Sequence, residues 1–280
     1  MTAAAQGQSV RGDLLNRINA ERSRAGAPLL RIVEVLDQVA QRHADEIAQH
    51  GSLRLARGSE DEMNARLQQA GYEFHEWTES VTSSTGSLAE VIRQWKSQNN
   101  GTWDSLMDGN YRDLGIGLAR LRGVPLYTFL FAVPQKEFFL KATASLRNVD
   151  AARTEMLEEV NAVRRKAGAR PLKLEGHLQK AAQEHAEDML ERGYFAHESP
   201  SGTTVRERST AAGYDWKTIG ENIAEGQLTV DEVMRTWMNS PNHRKNILDP
   251  RFTELGVGLV TNRGKDGKYR VVWVQSFGAR

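Results

Sequence analysis

Two imidazoles and one carboxylate stand out in the second half of the chain: His197, Glu221 and His243, 24 and 22 residues apart. Together they could give Zn²⁺ or another divalent cation three ligands and leave a fourth position to water. They could also form a hydrogen-bonded cluster that fixes loops, and this structural reading comes ahead of the metal. The spacing chooses neither reading, because it lacks the H-E-x-x-H pattern that sets two histidines on one helix face. No nucleophile accompanies them. Ser199 and Ser240 each precede a proline close to a histidine, yet neither lies in G-x-S-x-G. There is no G-x-G-x-x-G and no P-loop. The catalytic set is therefore empty, and His197 and His243 are the metal candidates.

The frame that must position these residues is a duplicated unit. Asn19, Ala20 and Arg22 recur as Asn161, Ala162 and Arg164, at an offset of 142 residues. The same offset carries Gly26 to Gly168, His43-Ala44 to His185-Ala186, Gly51 to Gly193 and Ala70-Gly71-Tyr72 to Ala212-Gly213-Tyr214. It also carries Glu79 to Glu221 and Trp95 to Trp237. One residue is then gained in the first copy, and Leu114-Gly115 and Gly117-Leu118 map onto Leu255-Gly256 and Gly258-Leu259 at 141. Each copy has the length of an ordinary domain. The expected layout is a first domain over 10–134, a linker over 135–150 and a second domain over 151–280. Phe138, Phe139 and Leu140 suggest that the linker packs rather than swings free.

The copies differ where chemistry would be. His197 faces Leu55, His243 faces Thr102, and Gly220-Glu221-Asn222-Ile223 faces Thr78-Glu79-Ser80-Val81. Ser199-Pro200 faces Arg57-Gly58, and Ser240-Pro241 faces Gln98-Asn99. Shared positions are those of packing and turns, so the second copy is the expected working domain. Glu221 has a twin in the copy that lacks both histidines, which ties it to the fold. The expected role is a carboxylate after a tight glycine turn that accepts backbone amides and holds a loop. Arg244 and Asn246 are expected to close the His243 loop onto carbonyls. His43 and His185, mid-helix in both copies, read as packing or surface residues rather than ligands.

Each copy reads as helices first and strands last. Leu14–Arg24 and Met156–Lys166 have apolar residues at helical spacing, stopped by Gly26 and Gly168. Second helices follow near Val33–His50 and Gly176–Arg192. Third helices open with the capping boxes Ser87/Glu90 and Thr229/Glu232. Alternation and glycine-rich turns predict two hairpins, Leu114–Leu121 with Pro125–Val133 and Leu255–Thr261 with Tyr269–Phe277. The fold class is α+β, in layers.

Composition narrows the field further. The net charge of +1 gives no signal for nucleic acid. No 18-residue apolar run spans a membrane. With no cysteine, disulfides, thiolate metal sites and cysteine nucleophiles are excluded. Residues 1–13 carry no apolar core of a secretory signal, so the compartment stays open between cytoplasm and export.

The runs Tyr194-Phe195-Ala196-His197-Glu198-Ser199-Pro200 and Gly220-Glu221-Asn222-Ile223-Ala224 are followed by Trp237-Met238-Asn239-Ser240-Pro241-Asn242-His243-Arg244-Lys245-Asn246-Ile247-Leu248. Val272-Trp273-Val274-Gln275-Ser276-Phe277-Gly278 closes the series. In this order they resemble the bacterial branch of the CAP superfamily, the SCP-like extracellular domains, over about Leu157–Gly278. The first copy resembles that family only through the duplication. The resemblance implies two tandem α-β-α sandwiches with a central cleft where two histidines meet acidic residues. Carried over, these are His197, His243 and Glu221, while a second acid would fall near Ser240 and is missing. The implied cleft is His197, Glu221, His243, Ser240, Asn222 and Arg244. The implied function is an exported, non-enzymatic binding or scaffold module for a protein, glycan or lipid, extracellular or periplasmic, whose cleft could take Zn²⁺ or a similar cation. Its rivals are a metal-assisted hydrolase, with Glu221 polarising water, and a lipid- or sterol-binding protein.

Overall fold

The computed structural model describes residues 3–53, 59–97 and 101–280. It divides into two compact units, residues 1–138 and 139–280. The first unit runs α1 (Ala3–Arg24), β1 (Arg31–Ile32), α2 (Glu34–His50), α3 (Glu60–Gln69), β2 (Phe74–Ser83), α4 (Leu88–Ser97), α5 (Thr102–Met107), β3 (Asp113–Leu121) and β4 (Val124–Pro134). Helix α6 (Gln135–Ala142) follows. The second unit repeats the order as α7 (Val149–Lys166), β5 (Lys173–Leu174), α8 (Gly176–Arg192), α9 (Val205–Ala211), β6 (Thr218–Glu225), α10 (Val230–Asn239), α11 (Pro241–Leu248), β7 (Glu254–Arg263) and β8 (Tyr269–Ala279).

Each unit is built on a four-stranded sheet, ordered β1-β3-β4-β2 in the first and β5-β7-β8-β6 in the second. The short edge strands β1 and β5 pair in parallel, and every other pairing is antiparallel. Strand alternation sends side chains to both faces, and each face is covered by helices. On one side of the second sheet, Met156 and Val160 of α7 and Val233 and Trp237 of α10 bury Val257, Trp273 and Phe277. On the other, Ala182, Ala186 and Met189 of α8 cover Ile223, Val272 and Val274. The first unit does likewise, with Leu14, Ile18, Val91 and Trp95 on Ile116, Phe129 and Phe131. This is an α-β-α sandwich made twice.

Two devices recur at equivalent positions and explain the conserved spacing of the copies. Asn161 exchanges two hydrogen bonds with the backbone of Leu172, at 2.9 and 2.7 Å, as Asn19 does with Leu30 at 2.8 Å. The fully buried Arg164 donates to the carbonyls of Arg170, Ile247 and Phe252, and Arg22 donates to those of Pro28, Leu106 and Tyr111. A buried guanidinium spread over backbone acceptors ties the first helix to the segment entering the third strand. Glycines set the helix on the opposite face. A Cβ on Gly256 or Gly258 would stand 2.2 Å from the backbone of Leu178 or Ala182, and Gly115 and Gly117 meet Leu36 and Ala40 in the same way.

Some elements differ from the sequence-based expectation. Strands β2 and β6 were not foreseen, and β6 is the strand that carries Glu221. Ser87 and Glu90 form the expected reciprocal cap. Thr229 accepts from Glu232 N, but the Glu232 carboxylate accepts from Leu228 N rather than completing the box. In the segment 135–150, Phe138 packs on the first core and stacks on His75, while Phe139 and Leu146 are buried in the second. Leu55, Arg57-Gly58 and Gln98-Asn99, which face the second domain's polar positions, lie outside the described residues.

Candidate functional site

Glu221 is the centre of the second domain's polar cluster. It lies in β6, an edge strand, directly across from Ser276 of β8. Its side chain is 2% exposed, and both carboxylate oxygens are engaged. Oε1 takes His197 Nδ1 at 2.8 Å, and Oε2 accepts from Arg208 at 2.8 Å. Arg208 comes from α9, whose start is fixed by a capping box between Thr204 and Glu207. It also donates to the carbonyl of His197 at 2.9 Å, so one guanidinium anchors the acid and the loop that the acid holds. Glu221 therefore works through side chains, not through the backbone amides expected of it. Gly220 lies in the strand rather than in a turn, and it is small because a Cβ there would reach the Phe252 ring at 2.8 Å.

The next residue serves the other histidine. Alternation turns Asn222 to the opposite face of β6, where it is fully buried. It donates to the carbonyl of His243 and to Gln275 Oε1, both at 3.1 Å, and accepts from Asn246 at 2.9 Å. Asn246 donates in addition to the carbonyl of Glu221 at 3.0 Å, the loop-closing bond expected of it. Adjacent strand residues thus hold His197 by its ring and His243 by its backbone. His243 Nδ1 is buried without a partner. Burial, followed by the neighbouring charge of His197, pushes the His243 imidazole below its ordinary value.

The remaining expected cleft residues take quieter places. Ser240 ends α10 and begins α11, with no side-chain cap bond. Arg244 is exposed on the outer side of α11, lining a shallow depression with Met238, Pro241 and Leu248 rather than closing the loop. Ser199 Oγ meets Ser201 Oγ at 2.9 Å and accepts from Thr203 N at 3.0 Å, a turn staple. Among the described residues, no group of three or more His, Asp or Glu is arranged to hold a metal ion.

Arg208 escaped the sequence reading, and His185, read as a packing or surface residue, is buried beside Glu221. Arg208 repeats Arg66 at the same offset of 142, so the signal was present. His185 is buried, with Nε2 3.8 Å from Glu221 Oε1. In the first domain its twin His43 is also buried and meets Glu79 Oε1 at 2.6 Å. Thr102, in the place of His243, contacts the hydroxyl of Ser80 at 2.6 Å.

Comparison with known proteins places this geometry in context. The model of the CAP (cysteine-rich secretory protein) family matches residues 15–131 and again 157–277. The chain is 40% identical over 135 residues to the uncharacterized protein YkwD of Bacillus subtilis (strain 168), covering 48% of this chain and 50% of that protein. It is 33% identical over 105 residues to the uncharacterized membrane protein YlbC of the same organism, covering 38% of this chain and 30% of that one. The chain thus spans half or less of the length of these relatives. An extracellular protein with an SCP domain from Bacillus anthracis str. Ames superposes with a TM-score of 0.41 at 21% identity, over 59% of this chain and 60% of that one.

Proposed function

Because the chain belongs to the CAP family in both of its halves, we propose that it is an exported tandem module whose second domain binds a ligand without transforming it. In this reading residues 151–280 form the working domain, 10–134 its degenerate copy and 135–150 the connection. No helix among the described residues is long and apolar enough to cross a membrane.

The observation that supports binding over catalysis is the engagement of Glu221. Both of its oxygens are hydrogen-bonded, to His197 and to Arg208, inside a buried setting. A general base needs a free lone pair directed at its proton. Glu221 instead orients an imidazole, in the manner of a carboxylate behind a ligand histidine. With Nδ1 committed, His197 presents Nε2 as its other polar atom on a side chain that is 57% exposed. Neither Ser199 nor Ser240 is hydrogen-bonded to an imidazole, so neither is set up as an activated nucleophile.

The donor set also bears on what a cation could do here. His197 and His243 offer two imidazoles, one short of the three protein ligands usual in catalytic zinc sites. Glu221 is spent on orientation, and Ser240 stands where an acid would have completed the set. A divalent cation in the cleft would draw its other ligands from water or from the bound partner. These residues do not fit a hydrolytic zinc centre.

The test is a titration of the untagged full chain with zinc chloride, followed by thermal unfolding and by assay against ester and peptide substrates. A ligand at a hundredfold excess over Kd stabilises by about 2.7 kcal/mol. The expected result is at most a modest shift, lost in the His197→Ala/His243→Ala double variant, with no turnover. Metal-dependent turnover that disappears in the double variant would establish the hydrolase instead.

A further inference from the structure

The buried imidazole of His185 has no role in the cluster as it stands. Its side chain is fully buried, and neither ring nitrogen has a hydrogen-bond partner of normal geometry, the Ala196 backbone being the neutral polar group that bears on it. Buried polar groups in native proteins are nearly always paired, so an unpaired imidazole calls for a reason. The carboxylate acceptor it faces is Oε1 of Glu221, 3.8 Å away and so longer than a hydrogen bond by about half an ångström. That same oxygen is held by His197 at 2.8 Å. Two imidazoles therefore address one carboxylate oxygen, the exposed one engaged and the buried one waiting.

The first domain displays the other arrangement. His43 and Glu79 occupy the positions of His185 and Glu221, and there the pair is closed at 2.6 Å. The sequence position of His197 is Leu55 in that copy, a residue with no imidazole to offer. The surroundings differ in the same sense. Leu130, buried across the strand from Glu79, is replaced by Ser276 across from Glu221. Leu67, at the position matching Ser209, is likewise buried and apolar. Both serine hydroxyls of the second domain are buried without partners. The second domain has thus exchanged leucine for serine across the strand from its carboxylate, and again at Ser209 of α9.

We propose that Glu221 is an exchangeable acceptor: it holds His197 in the resting cleft and passes to His185 when His197 is drawn away, reaching the arrangement of Glu79 and His43. The ring need not become charged. Burial holds His185 below its ordinary range, against the opposing pull of Glu221, and a neutral ring still carries one N–H to donate. Arg208 keeps Oε2 throughout and serves as the pivot. Engagement of His197 in the cleft is thereby reported to α8 in the interior. The exchange rests on the geometry of Glu221 and stands whatever the cleft binds.

The experiment removes His197 from the full-length protein. His197→Ala is chosen because that side chain is more than half exposed, so the fold tolerates its loss. Imidazole ¹⁵N and N–H resonances are compared with wild type, using His185→Gln for assignment and His43 as the internal example of the closed pair. The expected result is a shift of the His185 N–H toward the downfield position of His43, with slower exchange. A crystal structure of the variant should bring His185 Nε2 within about 3 Å of Glu221. Unchanged His185 resonances in His197→Ala, with the gap still open in the crystal, overturn the proposal.

Discussion

Arg208 donates to Glu221 at 2.8 Å, whereas Arg66, its twin in the first domain, turns to Glu46 at 2.8 Å. The two arginines occupy equivalent positions and have opposite settings. Arg208 and Glu221 are 10% and 2% exposed, while Arg66 and Glu46 are 32% and 45% exposed. Removing one partner of a buried pair strands the other charge, while an exposed pair loses little to solvent. Arg208→Ala should therefore cost the second domain on the order of 3 kcal/mol. Arg66→Ala should cost the first domain less than about 1 kcal/mol. Urea unfolding of both variants measures the contrast, and equal losses would show that Glu221 does not depend on its guanidinium.

Backbone contact makes a second comparison. Gly258→Ala would push a Cβ to 2.2 Å from the Ala182 carbonyl, with no flexible side chain to give way. The helix must shift off the strand, at about 3 kcal/mol or more. Gly176, at the start of the same helix, has nothing within 4 Å of its would-be Cβ and no positive φ. Gly176→Ala should leave stability unchanged or raise it by about 0.5 kcal/mol. Thermal unfolding of the two variants gives the answer.

His185 makes a pH prediction with a definite sign. Burial first, and Arg208 after it, lower its value, opposed by Glu221, by the Ala196 backbone and by Asp188. The unfolded chain therefore binds a proton that the folded domain refuses, and stability rises with pH in that window. This contribution is fully present above the ordinary histidine value of 6.5 and is lost as pH falls from there through the lowered folded value. The difference in Tm between wild type and His185→Gln should be flat from pH 7 to 8 and move against wild type as pH drops below 6.5. A difference that stays constant down to pH 5 contradicts a depressed His185.

Much of the frame was legible because duplication prints the fold twice. Asn19 and Asn161, Arg22 and Arg164, and the paired glycines of β3 and β7 all surfaced as coincidences at one offset, and each proved to hold backbone to backbone. Strand β6 was not legible. Its Gly220-Glu221-Asn222 start breaks apolar alternation because Glu221 and Asn222 face two polar clusters rather than core and solvent. Helices α3 and α9 were missed as short segments without a long apolar stripe, though each begins with a complete capping box. Arg208 repeats in sequence but not in partner. A repeat tells where a side chain starts and leaves open where it ends.

The glycine seat of α8 has one more consequence. Helix and strand meet on bare backbone at Gly256 and Gly258, so the joint has no compliant side chain to absorb sliding. By alternation, a slip of two residues would set the helix on Glu254 or Val260, where a side chain blocks it. The helix is a fixed jaw, and His185, one turn beyond Ala182, rides on it. The gap from His185 to Glu221 is then gauged by the backbone, and rotation of the Glu221 side chain is what opens or shuts it. A copy of this domain can lack both cleft histidines and still keep the helix histidine facing its strand carboxylate, as His43 and Glu79 do.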